Sequence, residues 1–171
     1  MKANEAKSVL VTFTLNKMTC PPVKLNNDHL PQVDEVKYLG IHRDRRLTWR
    51  KHITTKWKQL DLKLQTLYWI IGHKSQLSLE NKLLAYEVIL KPVWTHGIKL
   101  WGIALNPNLE ILERFQSEVL CIITDAPWYV PNTIIKRDLQ IPTVKQEARR
   151  CSANCRKRLD THTQQSSKYI I

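Results

Sequence analysis

The chain is short of acid. Its 171 residues carry 15 Asp and Glu against 27 Lys and Arg, a formal net charge of +12. That imbalance favours a polyanionic partner, nucleic acid first and an acidic membrane surface second, although charge alone also serves general solubility. The seven aspartates stand singly, with no Asp-Asp pair anywhere. No Ser/His/Asp set stands out either, and His42, His52, His73 and His96 have no pairing that suggests catalysis. Cys20, Cys121, Cys151 and Cys155 form no CxxC pair, and the first residues are polar, without a secretory signal. A reducing intracellular compartment, nuclear or cytoplasmic, is the expectation. No apolar run approaches the roughly 18 residues that would span a bilayer, so no membrane partner is expected. No internal repeat is present.

The length suits one domain, or one domain with a small appendage, able to bury about 70% of its unfolded surface. The basic residues are clustered. Residues 43–58 hold seven Lys/Arg against one Asp, and residues 136–158 hold eight against Asp138 and Glu147.

The first 45 residues read as strands with no helix. Ser8–Thr14 is β-branched and partly alternating, Val23–Leu25 is short and extended with a turn at Asn26-Asn27, and Val36–Ile41 is the best strand. Three short strands need a covering partner, which hints at a missing neighbour. Gly40, lacking a Cβ, would let another backbone approach, and Arg45 and Arg46 would lie at the tip of the element.

Helices take over after Leu47. Ile53, Trp57, Leu60, Leu64, Leu67 and Ile71 form one apolar seam, with Lys51, Lys56, Lys58 and Lys63 off it and Gly72 closing the helix. Ser78 caps a second helix with Leu79, Leu83, Tyr86 and Leu90 inward, and Pro92 ends or kinks it. Trp94, Ile98 and Trp101 continue the apolar face. Asn106-Pro107 starts a third helix, Asn as cap, with Leu109, Leu112, Phe115, Val119, Leu120 and Ile123 at helical spacing. Thr143 with Gln146 is a capping box for the last helix, whose inner face is Val144, Ala148, Cys151, Cys155 and Leu159. The fold class is therefore α+β, mostly α. Its expected divisions are strands over 1–46, a helical bundle over 47–125, an aromatic loop and basic helix over 126–160, and a tail over 161–171.

Several residues admit two readings. Arg45, Arg46, Arg50 and Lys51 either contact phosphates as a cluster or form a solvated helix start. Trp49 either stacks on a base or sugar or packs the strand–helix junction. The proline-bounded Ala126–Pro131 loop, with Trp128 and Tyr129, is either a stacking platform or a clasp between helices. Arg149, Arg150, Arg156, Lys157 and Arg158 are either a second phosphate track or the wet side of the last helix. Cys151, Cys155 and His162 lack a fourth zinc ligand, and buried thiols are the better reading.

The ordered segments VKYLGIHRDRRLTWRKHI, LYWIIGHKSQLSLENKLLAYEVILKPVWTHGIKLWG and LERFQSEVLCIITDAPWYVPNTIIKRDLQIPTVKQEARR resemble the C-terminal part of the reverse transcriptase of jockey-like non-LTR retrotransposons. The resemblance covers roughly residues 4–160. It implies that the first strands are the edge of the polymerase palm, with Lys7 near the incoming nucleotide's phosphates. Tyr38-Leu39-Gly40 looks like the primer-grip strand, and the helices after Leu47 look like the thumb. The implied partner is an RNA/DNA template–primer, met by Arg45, Arg46, Trp49, Arg50, Lys51, Lys56, Arg149 and Arg150, together with the palm and fingers that this chain does not contain. The family's two metal ions, magnesium in the intact polymerase, are held by paired aspartates N-terminal to these motifs. With no such pair here, the resemblance implies template–primer gripping without catalysis or a cofactor in this chain, as in a truncated copy. The alternatives are a standalone nucleic-acid-binding module without sequence preference, or an inactive expressed relic. Arg43, Cys121 and Asp125 depart from the family pattern, where an apolar, a basic and an Asn residue are usual.

Overall fold

A computed structural model describes residues 8–14, 21–25 and 28–167, with side chains for all of these except Asp28 and 159–167. Lys7, Cys20, the turn at Asn26-Asn27, the side chains of Leu159 and His162, and the last four residues lie outside that description. The chain forms two compact units, residues 1–52 and residues 53–171.

In the first unit, β1 (Lys24–Leu25) pairs antiparallel with β2 (Asp28–His29), and β3 (Glu35–Tyr38) pairs antiparallel with β4 (Ile41–Asp44). The register sets Glu35 against Asp44 and Tyr38 against Ile41. The expected continuous strand Val36–Ile41 is thus a hairpin. Its chain reverses at Leu39 (φ 49°) and Gly40 (φ 76°), two left-handed residues as a type I′ turn requires. Gly40 is there to turn its own chain, and the arginines lie at the hairpin's foot, after β4, rather than at its tip. Ser8–Thr14 is not a strand either. It makes a single parallel bridge, Leu10 to Gln32, in which Leu10 N–H donates to Pro31 and Val33 N–H donates to Leu10, each at 3.0 Å. Pro31 has no N–H with which to extend that ladder. Among the described residues only Ile41 and Trp49 are buried apolar side chains in this unit.

Helix α1 (Arg50–Ile71) runs out of the first unit into the second. Its seam is real at Ile53, Leu60, Leu64 and Ile71, all buried, and Leu67 is half-buried. Trp57 departs from it at 37% exposed. A wide indole at the margin of a narrow stripe keeps one edge in water. The helix closes at Gly72 without a left-handed turn. Instead Lys82 Nζ donates to the Gly72 carbonyl at 3.1 Å, a cation placed at the negative end of the helix dipole.

Ser78 caps α2 (Leu79–Ala85), its hydroxyl accepting Asn81 N–H at 3.4 Å. Leu79, expected inward, is exposed because the first turn lies at the rim of the bundle. The chain continues through a π turn (Tyr86–Leu90) into α3 (Lys91–Thr95). Proline at 92 removes an N–H and would crowd the carbonyl four residues back, and the widened turn, in which Lys91 N–H reaches Tyr86, absorbs both effects. Tyr86, Leu90, Trp94, α4 (Ile98–Trp101) through Ile98 and Trp101, and all six expected residues of α5 (Asn106–Thr124) are buried. Asn106 is already helical and supplies no side-chain cap, with Pro107 accommodated in the first turn.

A short helix, α6 (Asn132–Asp138), follows the aromatic loop and adds to the expected elements. The capping box of α7 (Val144–Ser167) forms in both directions: Thr143 N–H donates to Gln146 Oε1 at 2.9 Å, and Gln146 N–H to Thr143 Oγ1 at 3.2 Å. Val144 and Ala148 are buried, Cys151 and Cys155 half-buried. Between α5 and α7 lies a polar knot. Glu113 accepts Lys136 Nζ at 2.5 Å and Val144 N–H at 2.9 Å. Gln116 Nε2 donates to the Tyr86 hydroxyl at 3.1 Å and to the Pro142 carbonyl at 3.0 Å. Burial pushes the Tyr86 phenol up to about 12, against the Gln116 hydrogen bond. Among the described residues no helix is long and apolar enough to cross a membrane.

Candidate nucleic-acid interface

The foot of the β3–β4 hairpin is built on one carboxylate. Asp44, the last residue of β4, accepts Thr48 N–H at 2.9 Å and the Thr48 hydroxyl at 2.8 Å through Oδ2, and Trp49 N–H at 3.0 Å through Oδ1. Its own carbonyl accepts Leu47 N–H at 2.9 Å. These bonds hold Leu47 (φ 52°) and Trp49 (φ 63°) in the left-handed region, where side-chain-bearing residues are disfavoured. The result is a tight turn that delivers Trp49 inward and starts α1 at Arg50. Partial burial pulls the Asp44 pKa upward, but the hydrogen bonds from Thr48 and Trp49 outweigh it, and the carboxyl sits below its ordinary value of 3.8.

Because the folded value lies below the unfolded one, Asp44 adds stability that is complete above about pH 4 and lost as the pH falls through the folded value. The expected result is that exchange protection of the Thr48 and Trp49 amides, corrected for intrinsic rates, collapses on acidification below that point. Asp44→Asn should flatten this dependence.

The cations around this turn are not equivalent. Arg46 and Arg50 are exposed. Arg45 is only 22% exposed along its side chain and lies 3.9 Å from Asp34. Its backbone N–H donates to the Asp34 carbonyl at 2.8 Å. Arg45 thus helps tie the hairpin's foot as well as carrying charge, a correction to its reading as a solvated tip residue. Lys51 is exposed and paired with Glu35. Trp49 is 4% exposed and edge-on to His52 at 6.4 Å, so its ring packs the strand–helix junction and is closed to stacking. At the other end of the hairpin, Tyr38 and Leu39 are 60% and 74% exposed beside Gly40.

Leu39 at φ 49° carries a strain of about 1–2 kcal/mol that glycine would not. A strained, exposed apolar residue at a turn is the kind of outlier that points to use. Leu39→Gly is expected to stabilise the hairpin by about 0.5–1 kcal/mol, read as slower exchange of the Ile41 and Arg43 amides.

The remaining candidates lie in the second unit. Lys56 is half-buried on α1. Arg149 and Arg150 are exposed on α7, and Arg150 is fixed to Glu147 at 2.6 Å, an interaction that raises its pKa further. Lys7 lies outside the described residues. Among the described residues no three of His, Cys, Asp and Glu converge where they could hold a metal ion. The sequence reading missed Asp44, treating it as one of seven scattered aspartates. Its signal was local: an Asp four residues before a Thr, at the end of a strand and just before a helix.

Curated relatives match almost the whole chain. The probable RNA-directed DNA polymerase from transposon X-element of Drosophila melanogaster is 40% identical over 159 residues, 93% of this chain. The probable RNA-directed DNA polymerase from transposon BS of the same species is 33% identical over 164 residues, and the RNA-directed DNA polymerase from mobile element jockey of Drosophila funebris is 34% identical over 159. The chain spans only 17–18% of the length of these relatives. No protein-family model matches it. No solved structure matches it. Over nearly its whole length the chain is thus similar to one segment of the RNA-directed DNA polymerases of transposable elements. Within that class it is similar to one segment of the polymerases of jockey-like elements.

Proposed function

We propose that this chain is the template–primer-gripping part of such a polymerase, lying C-terminal to the catalytic aspartates, and has no polymerase chemistry of its own. The observation that carries the reading is the β3–β4 hairpin. It holds Tyr38 and Leu39 out in solvent at one end and sets Arg46 and Arg50 in solvent at the other, on a turn braced by Asp44. In this reading Tyr38-Leu39-Gly40 lies against the primer end, and Arg46, Arg50 and Lys51, with Arg45 at the margin, meet the phosphates. Lys56 and the Arg149–Arg150 stretch add charge from the helical unit, and Lys7 serves the incoming nucleotide. The first unit buries only Ile41 and Trp49 among its described apolar residues, which supports the palm and fingers as the partner that completes it. Magnesium chemistry belongs to that partner.

The test is a titration of the 171-residue chain against an RNA/DNA hybrid duplex at several salt concentrations. Affinity should fall steeply with salt, and Arg46→Ala with Arg50→Ala should reduce the log–log slope by about 2, roughly 0.9 for each phosphate that is no longer neutralised. An unchanged slope would remove these arginines from the interface. Primer extension by the chain alone with magnesium should give no product; synthesis would overturn the assignment of chemistry to the missing part.

A further inference from the structure

The aromatic loop between α5 and α6 takes no part in that grip. Pro127–Val130 is a closed β-turn, with Val130 N–H donating to the Pro127 carbonyl at 3.0 Å. Trp128 and Tyr129 occupy its two central positions. Both ends are pinned. On one side Asp125 takes a left-handed φ of 52°, and Ala126 N–H reaches back to Cys121 at 3.3 Å. On the other, the Pro131 carbonyl accepts Ile134 N–H at 2.9 Å as α6 begins. His73 Nδ1 lies 2.5 Å from the Asp125 carboxylate beside the turn.

The rings are held out, not folded in. Trp128 is 95% exposed and Tyr129 68%, and they meet edge to face with centroids 6.0 Å apart at 82°. A clasp between helices would bury them, so that reading of the loop fails. A hydrogen-bonded turn fixed at both ends sets the backbone beneath the two rings and presents them to water, so little backbone ordering remains to be lost on binding.

We propose that Trp128 and Tyr129 form a stacking platform for unpaired bases of a single-stranded nucleic acid. The occupant follows from charge and shape. Of the eight Lys/Arg in residues 136–158, Lys136 is buried against Glu113, but Arg137, Arg149, Arg150, Arg156, Lys157 and Arg158 are exposed, and that excess of cations favours a polyanion. Every base has a π-face that a tryptophan can accept without sequence preference. The inference rests on the nucleic-acid reading above but assigns a different element and a different strand state.

The experiment measures fluorescence anisotropy of labelled oligo-dT and oligo-U of about 12 nucleotides, and of a hybrid duplex of about 12 base pairs, lengths within the usual single-strand site size. It uses the full chain and its Trp128→Ala, Tyr129→Ala and Trp128→Phe variants. Trp128→Ala should weaken single-strand binding about 5- to 150-fold, the range for losing one stacked base. The salt slope should stay unchanged, since no cation is removed, and hybrid binding should move little. Trp128→Phe should recover most of the loss. Equal single-strand affinity in wild type and Trp128→Ala, or equal losses on single strand and duplex, overturns the platform and leaves the turn as a protein contact. Duplex binding by the wild type without single-strand binding also sinks the platform alone. Binding of neither at low salt sinks both this inference and the gripping role.

Discussion

Replacing Glu113 with alanine is expected to destabilise the helical unit by about 3–5 kcal/mol. Glu113, about a quarter exposed itself, is the common acceptor for two donors that have little access to water. Lys136 exposes only 9% of its side chain and points its ammonium at Glu113. Val144 N–H, at the start of α7, is one of the donors that an α-helix leaves unpaired at its N-terminus. Alanine abandons both, and an uncompensated buried cation dominates the loss. The check is urea denaturation followed by far-UV circular dichroism, where the midpoint should fall with little change in slope. The double replacement Glu113→Leu with Lys136→Met should recover a large part of the stability, because a buried pair exchanged for packed apolar groups is often neutral. If the double variant is as unstable as Glu113→Ala, the ion pair is not the source of the effect.

Trp101→Ala should cost a similar amount, about 3–5 kcal/mol, by a different route. The side chain is 0% exposed and sits where α4 meets α7. Gly102, next to it, brings the two helices so close that an added Cβ would stand 2.9 Å from the Ala148 methyl. Such an interface cannot collapse freely into the space an indole leaves, and cavity cost rises when the walls cannot move. Trp101 also donates its indole N–H to the His96 carbonyl at 2.9 Å, at the break between α3 and α4. Trp101→Phe therefore separates the two effects. It keeps most of the packing and leaves that carbonyl unpaired, so a loss of about 1–3 kcal/mol is expected from it. The same denaturation series reads both.

The helical half of this fold was written plainly in the sequence. The seam of α1, the inner face of α5 and the Thr143–Gln146 box depend on spacing along one helix, and spacing is visible in one dimension. The failures share a cause. Leu39 carries no turn signature of its own, and a left-handed leucine is paid for by the pairing of β3 with β4, which an unbroken apolar reading of Val36–Ile41 conceals. Glu113, Gln116 and Lys136 look like ordinary surface residues until α5, α6 and α7 assemble around them. The π turn hides for a related reason, since a proline in a helix announces a disturbance but not its form. At the candidate interface, the charge cluster was legible, while the division of labour within it was not. Arg45 and Trp49 brace the turn, and Arg46 and Arg50 face solvent, because the sorting is done by Asp44 and Asp34 in three dimensions.

The widened turn at Tyr86–Leu90 has a consequence for how related chains can vary. It holds one residue more than an ordinary helical turn while leaving the flanking stretches in phase. A homologue shorter by one residue in this stretch, and lacking the proline at 92, can run straight through as a regular helix and still bury the counterparts of Tyr86 and Trp94. Single-residue gaps there are silent in the interior, whereas the same gap in α5 would rotate its whole apolar face into water.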